Sequence, residues 1–458
     1  MRDNDRLAGA LKEITGETNV IDDPDKLAAY AIDGMAPRTI VFPGSVEEVS
    51  KILSHAFMEG LSVAPRGSGT KLSLGNLLSR ETDIVLSSLR LNRVIDCDIG
   101  NLTLTAGSGI TLKQTQEMLA KEGSGCFLPL DPPFTEQATL GGIVASNASG
   151  PRRYQHGTAR DLVLGMRIVG PNGDVSAAGG KTVKNVTGYD MNKLHIGALG
   201  TLGFIAEVTF RLLPLPEEAA TLLISFDAPE DAGAFIRKLV HSPFLPVFME
   251  LMNGGFASRL SAMSGKTSYA VALGFEGVAE AVKRQLAEIA GLAREMKSLA
   301  VISLAGDDHE RIGREIRNYN LGLKNDFPDL IVLKASFVIS EADNVTVAAE
   351  KLAQTAGLEA LTLCHAGNGI LYVYLPGEDE GTAKIEVVKS FIDALRNEVE
   401  ARGGALVVEA ASPAVKKAVS VWGASRSDSV VMRRLKELID PVGILAPGRF
   451  GEVCDGRD

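Results

Sequence analysis

Apolar positions in the first half of the chain switch between short runs and helical spacing, with glycine at the joints. Thr39-Ile40-Val41-Phe42 is a β-branched, apolar run broken by Pro43-Gly44. Ser45 and Glu48 have the capping-box spacing, and Val46, Val49, Ile52, Leu53 and Ala56 then recur at helical intervals up to a stop at Gly60. Leu61-Ser62-Val63-Ala64 reads as the next strand and runs into Pro65-Arg66-Gly67-Ser68-Gly69-Thr70, giving a βαβ pattern that ends in a glycine loop. Ile84–Leu86 and Leu102–Thr105 read as short strands, and Thr111–Lys121 as a helix stopping at Gly123. A second glycine-dense region extends from Leu128 to Gly203 and closes on an alternating strand, Phe204 to Leu213. Pro214-Leu215-Pro216 sets a domain boundary there, because a proline pair cannot continue a central strand.

Beyond Thr221 the texture changes. Strand-like runs at Leu222–Phe226, Val247–Leu251, Tyr269–Leu273, Ile331–Ser336, Leu371–Tyr374 and Ala405–Val408 alternate with amphipathic helices near 229–240, 278–296, 341–356 and 381–401. Mixed strands and helices without glycine-rich loops predict an α+β layer, a sheet with helices on one face. A helical tail, Val430–Ile439, leads into Asp440-Pro441-Val442-Gly443-Ile444-Leu445-Ala446-Pro447-Gly448-Arg449. The predicted division is a helical segment over 1–38, a first domain over 39–216, a second over 217–411 and a tail over 412–458.

Composition narrows the class. The 458 residues carry 47 Lys and Arg against 57 Asp and Glu, a net charge of −10, with no basic block or basic–aromatic stripe. That argues against a general nucleic-acid binder. Cys97, Cys126, Cys364 and Cys454 show no C-x-x-C spacing, so neither an iron–sulfur nor a zinc-ribbon pattern is present, and reduced thiols are expected. The charged start, Met1 to Arg6, lacks the apolar stretch of a signal peptide, and no run approaches the roughly 18 apolar residues of a membrane span. The expected location is cytoplasmic, free or peripheral to the membrane through a complex.

Common cofactor motifs fail. No G-x-G-x-x-G follows a strand, and Gly180-Lys181-Thr182 has Val175 where a P-loop needs glycine. Two glycine segments remain. Arg66-Gly67-Ser68-Gly69-Thr70 offers successive backbone amides without Cβ atoms, the kind of concavity that cradles a pyrophosphate. Small residues at nearly every position of Ala138–Gly150 let a flat or charged ligand approach the backbone closely. Each segment alone has a plainer reading, a tight turn or a helix packed on a sheet; their pairing, with Asp131-Pro132-Pro133 between, points to a ligand.

These residues carry a resemblance. Residues 39–216 resemble the FAD-binding domain of the vanillyl-alcohol oxidase/p-cresol methylhydroxylase superfamily through Pro43–Val49, Pro65–Thr70, Thr139–Gly142, Pro151–Arg153, Gly157–Gly165, Lys184–Asp190 and Gly200–Ile205. The second half resembles the superfamily's oxidase cap, and Gly443–Arg449 its terminal signature. The resemblance implies an α+β protein: a two-subdomain FAD-binding domain of the p-cresol methylhydroxylase type, a cap with a ferredoxin-like sheet, and a helical tail returning to the FAD domain. It gives the cofactor to Arg66, Gly67, Ser68, Gly69, Thr70, Pro132, Thr139, Gly141, Gly142, Ser146 and Gly150, with Gly157 and Ile205 meeting it through backbone. Members with covalent flavin use a His or Cys in these loops; 66–70 holds neither, so non-covalent FAD is expected, with Cys126 and His156 as outside alternatives.

In the cap, Cys364-His365-Ala366-Gly367-Asn368-Gly369-Ile370-Leu371-Tyr372 resembles the H-x-G-D-G-N-x-H segment of 2-hydroxy-acid dehydrogenases. There two His and a later Glu bind a divalent metal that grips the substrate, and a His after that Glu takes the hydroxyl proton. Here His365 is kept, Asn368 replaces Asp, Tyr372 replaces the second His, and Glu409 is followed by Ala410. His365 and Glu409 give two ligands where a catalytic zinc site usually has three, so no metal site is expected. His365 is then a flavin-facing donor, a substitute base or a core histidine, and Lys334 a carboxylate binder or a solvated lysine.

The resemblance is strongest to the FAD-containing subunits of bacterial glycolate oxidase and D-lactate dehydrogenase. It implies oxidation of a small 2-hydroxy acid by hydride transfer to FAD, with His365, Lys334 and Glu409 as the candidate catalytic residues. Electrons would pass to partners, a second FAD subunit and an iron–sulfur protein. The departures also match an accessory FAD subunit that transfers electrons or supports assembly without turning over substrate itself.

Overall fold

The computed structural model describes residues 2–180, 189–263, 267–377, 382–423 and 428–450. Lys184–Gly188, Lys181-Thr182 and Cys454 lie outside the described residues. The chain forms two compact units: one from the described residues of 1–149, 158–214 and 424–458, the other from those of 150–157 and 215–423.

The first unit opens with a helix, Arg2–Thr15, and a four-stranded sheet of β1 (Val20–Ile21), β2 (Thr39–Val41), β3 (Val63–Arg66) and β4 (Ile84–Ser87) in the order β1-β2-β4-β3. Strands β2 and β3 both run parallel to β4, as the βαβ pattern requires. The connecting helix, Val46–Glu59, starts where Ser45 Oγ accepts from the Glu48 N–H at 3.2 Å and ends at Gly60 with φ 65°. Glu48 reaches back to the Gly44 N–H at 2.7 Å, one residue beyond the expected box partner. Its inner face buries Val46, Val49, Ile52, Leu53 and Ala56; each fully buried Val, Leu or Ile contributes roughly 1.5–3 kcal/mol.

Further along are β5 (Val94–Asp98), β6 (Thr103–Gly107), β7 (Cys126–Phe127), β8 (Val163–Val169), β9 (Val175–Gly179), β10 (Phe204–Arg211) and β11 (Leu213–Pro214). Five of them form an antiparallel sheet in the order β5-β6-β10-β8-β9, and β7 pairs with β11. The tail closes on β3: the Val63 N–H donates to Ile444 O at 2.8 Å and the Ala446 N–H to Val63 O at 2.9 Å, with Ile444 and Leu445 buried in the core.

The second unit is built on an eight-stranded antiparallel sheet. Its strands are β12 (Glu218–Phe226), β13 (Phe248–Asn253), β14 (Tyr269–Gly277), β15 (Ala300–Ala305), β16 (Ile331–Ser336), β17 (Leu361–His365), β18 (Ile370–Leu375) and β19 (Ala405–Ala410), in the order β15-β12-β14-β13-β17-β18-β16-β19. One face packs on the helices Pro229–Val240, Ala279–Glu295, Ala342–Thr355 and Thr382–Ala401. The other is covered in part by Gly254–Ala257, Asp307–Arg317 and Tyr319–Asp326. Helices on one face alone is therefore too simple.

Two boundaries shift from the sequence reading. The helix Pro413–Ala418 belongs to the second unit, where Val415 enters its core, so the tail does not start at 412. Residues 150–157 also belong to the second unit, because Arg152 and His156 bind Glu276 of β14.

Candidate active site

In the first unit the glycine loop after β3 and the helix Leu140–Ser146 face a cleft of two lobes that share lining residues. Pro65, Arg66, Gly67, Gly142, Ala145 and Leu199 line both lobes. Of the sequence-assigned cofactor residues, Arg66, Gly67, Ser68, Gly69, Thr70, Thr139, Gly141, Gly142, Ser146 and Ile205 line one lobe or both. Pro132 is buried and lines neither, and Gly150 and Gly157 lie in the second unit.

The glycines are required for a different reason than ligand approach. A Cβ on Gly67 would overlap Thr139 Oγ1, and one on Gly141 would come within 2.6 Å of Ser108 Cβ. Gly67 thus lets the β3 loop close on the helix cap, and Gly141 lets that helix sit against the turn after β6. The cap itself is Thr139 Oγ1, which accepts from the Gly142 N–H at 3.3 Å.

The lining is cationic. Arg66, Lys71 and Arg449 contribute to the first lobe, and among the described residues no Asp, Glu, His, Cys or Tyr lines either lobe. Arg449 is already held by Asp33 at 3.0 Å and by Asn76 O at 2.9 Å. Arg66 differs: its guanidinium stacks on Tyr30 at 4.8 Å, while Nη1 is buried without a hydrogen-bond partner. Burial pulls the Arg66 pKa below the ordinary arginine value. In the second lobe the Ser108 hydroxyl is likewise buried and unpartnered. A buried cationic donor, a spare hydroxyl and a lining free of carboxylates fit an anionic, hydrogen-bonding ligand.

In the second unit the candidate catalytic residues share one face of the sheet. Register sets Glu250 of β13 opposite His365 of β17, and Tyr372 of β18 opposite Lys334 of β16. His365 Nδ1 lies 2.6 Å from Glu250 Oε2, with both side chains buried. The Tyr372 ring meets the imidazole edge-on at 5.3 Å, and Lys334 Nζ sits 5.7 Å from the Tyr372 ring centre. Glu409 is the extra residue of a bulge in β19, between Val408 and Ala410, and bulges re-aim side chains. Burial above all holds the Tyr372 and Tyr374 phenols protonated; the Glu409 charge adds to this next for Tyr372, and for Tyr374 after that of Tyr372. Arg153 acts on Tyr372 in the opposite sense.

A second polar cluster fixes residues 150–157. Arg152 Nη2 lies 2.5 Å and His156 Nε2 3.6 Å from the Glu276 carboxylate, and His309 Nδ1 is 2.8 Å from Thr221 Oγ1. Burial raises the Glu276 pKa, but the His156 hydrogen bond and the charges of Arg152, His156 and His309 outweigh it and hold the carboxyl below its usual range.

Comparison with known proteins settles the family. The model for the FAD binding domain matches residues 37–179, and that for the C-terminal domain of FAD linked oxidases matches residues 215–450. The chain belongs to the FAD-linked oxidase family. It is 27% identical to the glycolate oxidase subunit GlcD of Bacillus subtilis over 96% of this chain and 95% of that one. It is 30% identical to a D-lactate dehydrogenase of Archaeoglobus fulgidus over 91% and 93%. Among solved structures, p-cresol methylhydroxylase with substrate bound superposes with a TM-score of 0.80 at 16% identity, covering 100% of this chain and 98% of the other. That last likeness is one of fold.

The protein is thus an FAD-linked oxidoreductase, and the cleft fits its cofactor: Arg66 Nη1, buried without a partner, would be available to a phosphate oxygen. Among the described residues no His, Cys or Tyr lines the cleft, which is consistent with non-covalent FAD. Cys126 lies in the β7–β11 pair and His156 in the second unit. Among the described residues no three His, Cys, Asp or Glu converge, and the Nδ1 of His365 is engaged by Glu250.

Sequence reasoning missed Glu250, Ser108, Leu199, Ala446 and Arg449. Glu250 carries no local signal, since it stands 115 residues before His365 in a strand of its own. Ala446 and Arg449 were legible only as part of the terminal signature.

Proposed function

We propose that this oxidoreductase converts a small 2-hydroxy acid into the 2-oxo acid and passes the electrons to a partner protein. The observation that carries the reading is the buried His365–Glu250 pair flanked by Tyr372 and Lys334. Glu250 holds the Nδ1 proton, which leaves Nε2 with its lone pair as the proton acceptor for a hydroxyl. Lys334 supplies positive charge for a carboxylate, and Glu409 with Tyr372 fixes the polarity beside it. Bound FAD supplies the acceptor for the hydride leaving the hydroxyl-bearing carbon. A carboxylate gripped by side chains replaces the metal grip for which the cap lacks donors.

The relatives support this substrate class by name: one is a glycolate oxidase subunit, others are D-lactate and D-2-hydroxyglutarate dehydrogenases. The decisive experiment is anaerobic addition of glycolate, D-lactate and D-2-hydroxyglutarate to the purified holoprotein. Bleaching of the flavin band by one of them, insensitive to EDTA, is expected. Tyr372 and Ala410, standing where the resemblance expects two histidines, favour a second reading, an electron-transfer or assembly subunit. In that case no acid bleaches the flavin, yet a reduced partner subunit does. No described helix is long and apolar enough to cross a membrane.

A further inference from the structure

The C-terminal helix of the first unit, Ser429–Ile439, carries a lysine that reaches into the wall of the cofactor cleft. Lys436 Nζ lies 2.8 Å from Thr201 O, 2.9 Å from Leu445 O and 2.5 Å from Asp440 Oδ2. Asp440 is buried and accepts in turn from the Ile444 N–H at 3.1 Å and the Leu445 N–H at 2.8 Å. One ammonium therefore ties together two segments that are distant in sequence, the loop 198–203 and the tail 444–449.

Both segments line the cleft, and both hold a strained residue within two positions of the contact. Leu199 has φ 52° and Ala446 φ 41°, left-handed conformations that side chains disfavour. Both residues line the first lobe, and Leu199 the second as well. The carbonyls that Lys436 holds are those of Thr201, two residues after Leu199, and of Leu445, immediately before Ala446. Such strain persists only where surrounding contacts over-determine the backbone, and it concentrates at ligand clamps.

We propose that Lys436 is a positioning residue for the flavin site: its ammonium clamps the backbone at Leu199 and Ala446 into the strained form that shapes the FAD cleft. Lys436 itself lines neither lobe. Loss of the clamp lets both segments relax towards ordinary φ values, so the cleft wall moves and cofactor affinity falls.

The test is FAD titration of apoprotein prepared from the full chain, read by quenching of flavin fluorescence. Lys436→Met is expected to raise the FAD dissociation constant about tenfold or more, with a blurred flavin absorption band in the reconstituted protein. Glycine adopts the left-handed conformation without a clamp. Lys436→Met/Ala446→Gly or Lys436→Met/Leu199→Gly should therefore regain much of the lost affinity, which a general loss of stability would not allow. Removing one partner of a buried ion pair can prevent folding. In that case Lys436→Gln, too short to span all three acceptors, is put through the same titration with the same glycine rescues. Wild-type FAD affinity in the variant that folds, or weakening that neither glycine relieves, overturns the proposal.

Discussion

His365 and Arg66 show at the scale of one side chain how burial makes a group useful. His365 is enclosed with a carboxylate at its Nδ1, so its free nitrogen is oriented before any substrate arrives. A positioned general base contributes about 10²–10⁴-fold to a rate, which sets the scale for the role proposed for His365. His365→Asn should therefore retain bound FAD while anaerobic flavin reduction by the responsive acid slows by about two to four orders of magnitude. Equal reduction rates in variant and parent would leave His365 as a core histidine. Glu250→Gln keeps the hydrogen-bonding shape and should give a smaller loss in the same measurement. His365 was legible because a short motif surrounds it, whereas its partner was not: opposite positions in neighbouring strands leave no trace in spacing.

At the scale of elements, the helix Val46–Glu59, its cap and its glycine stop follow from local chemistry, and the four long cap helices follow from the 3.6-residue period. β17 did not, although it bears His365. Leu361–His365 is five residues long and mixes Thr362 and His365 with its apolar positions, so it gives neither a continuous apolar run nor a long alternation to mark it. Glycine meaning was also only half legible, because the atoms that need the space belong to a distant loop. Gly67→Ala should weaken FAD binding by pushing Thr139 away, and adding Thr139→Ala should recover affinity beyond the sum of the single changes. A coupling of about 0.5–3 kcal/mol is typical of contacting residues, and additivity within error would remove the Gly67–Thr139 contact from the account. The cluster pinning 150–157 makes a pH prediction for the second unit. Burial holds the His309 pKa below its ordinary value, so the neutral form is the native one. Stability from this group is complete above about pH 6.5, the unfolded value, and is lost as pH falls through the depressed native value. The carboxyl of Glu276, also depressed, adds a further loss at lower pH in the same direction. Urea unfolding followed by Trp422 should show stability falling below about pH 6.5, and His309→Gln should flatten that fall. An unchanged slope would show that His309 is not its source.

At the scale of the whole molecule, the two units divide the labour, cofactor in one and candidate proton acceptor in the other, and their thiols report on them separately. Cys126 is buried in the first unit and Cys364 in the second. A ligand that binds only the folded state stabilises what it binds by RT ln(1 + [L]/Kd), about 2.7 kcal/mol at a hundredfold excess over Kd. All the described residues that line the cleft belong to the first unit, so that increment should act there. In apoprotein pulsed with a thiol reagent under mild denaturant, FAD at that excess should slow labelling of Cys126 by about a hundredfold and labelling of Cys364 much less. The unequal protection would mean that the second unit unfolds without releasing the cofactor. Equal protection of both thiols would instead make the chain one cooperative body, in which every cap substitution discussed above should also weaken FAD.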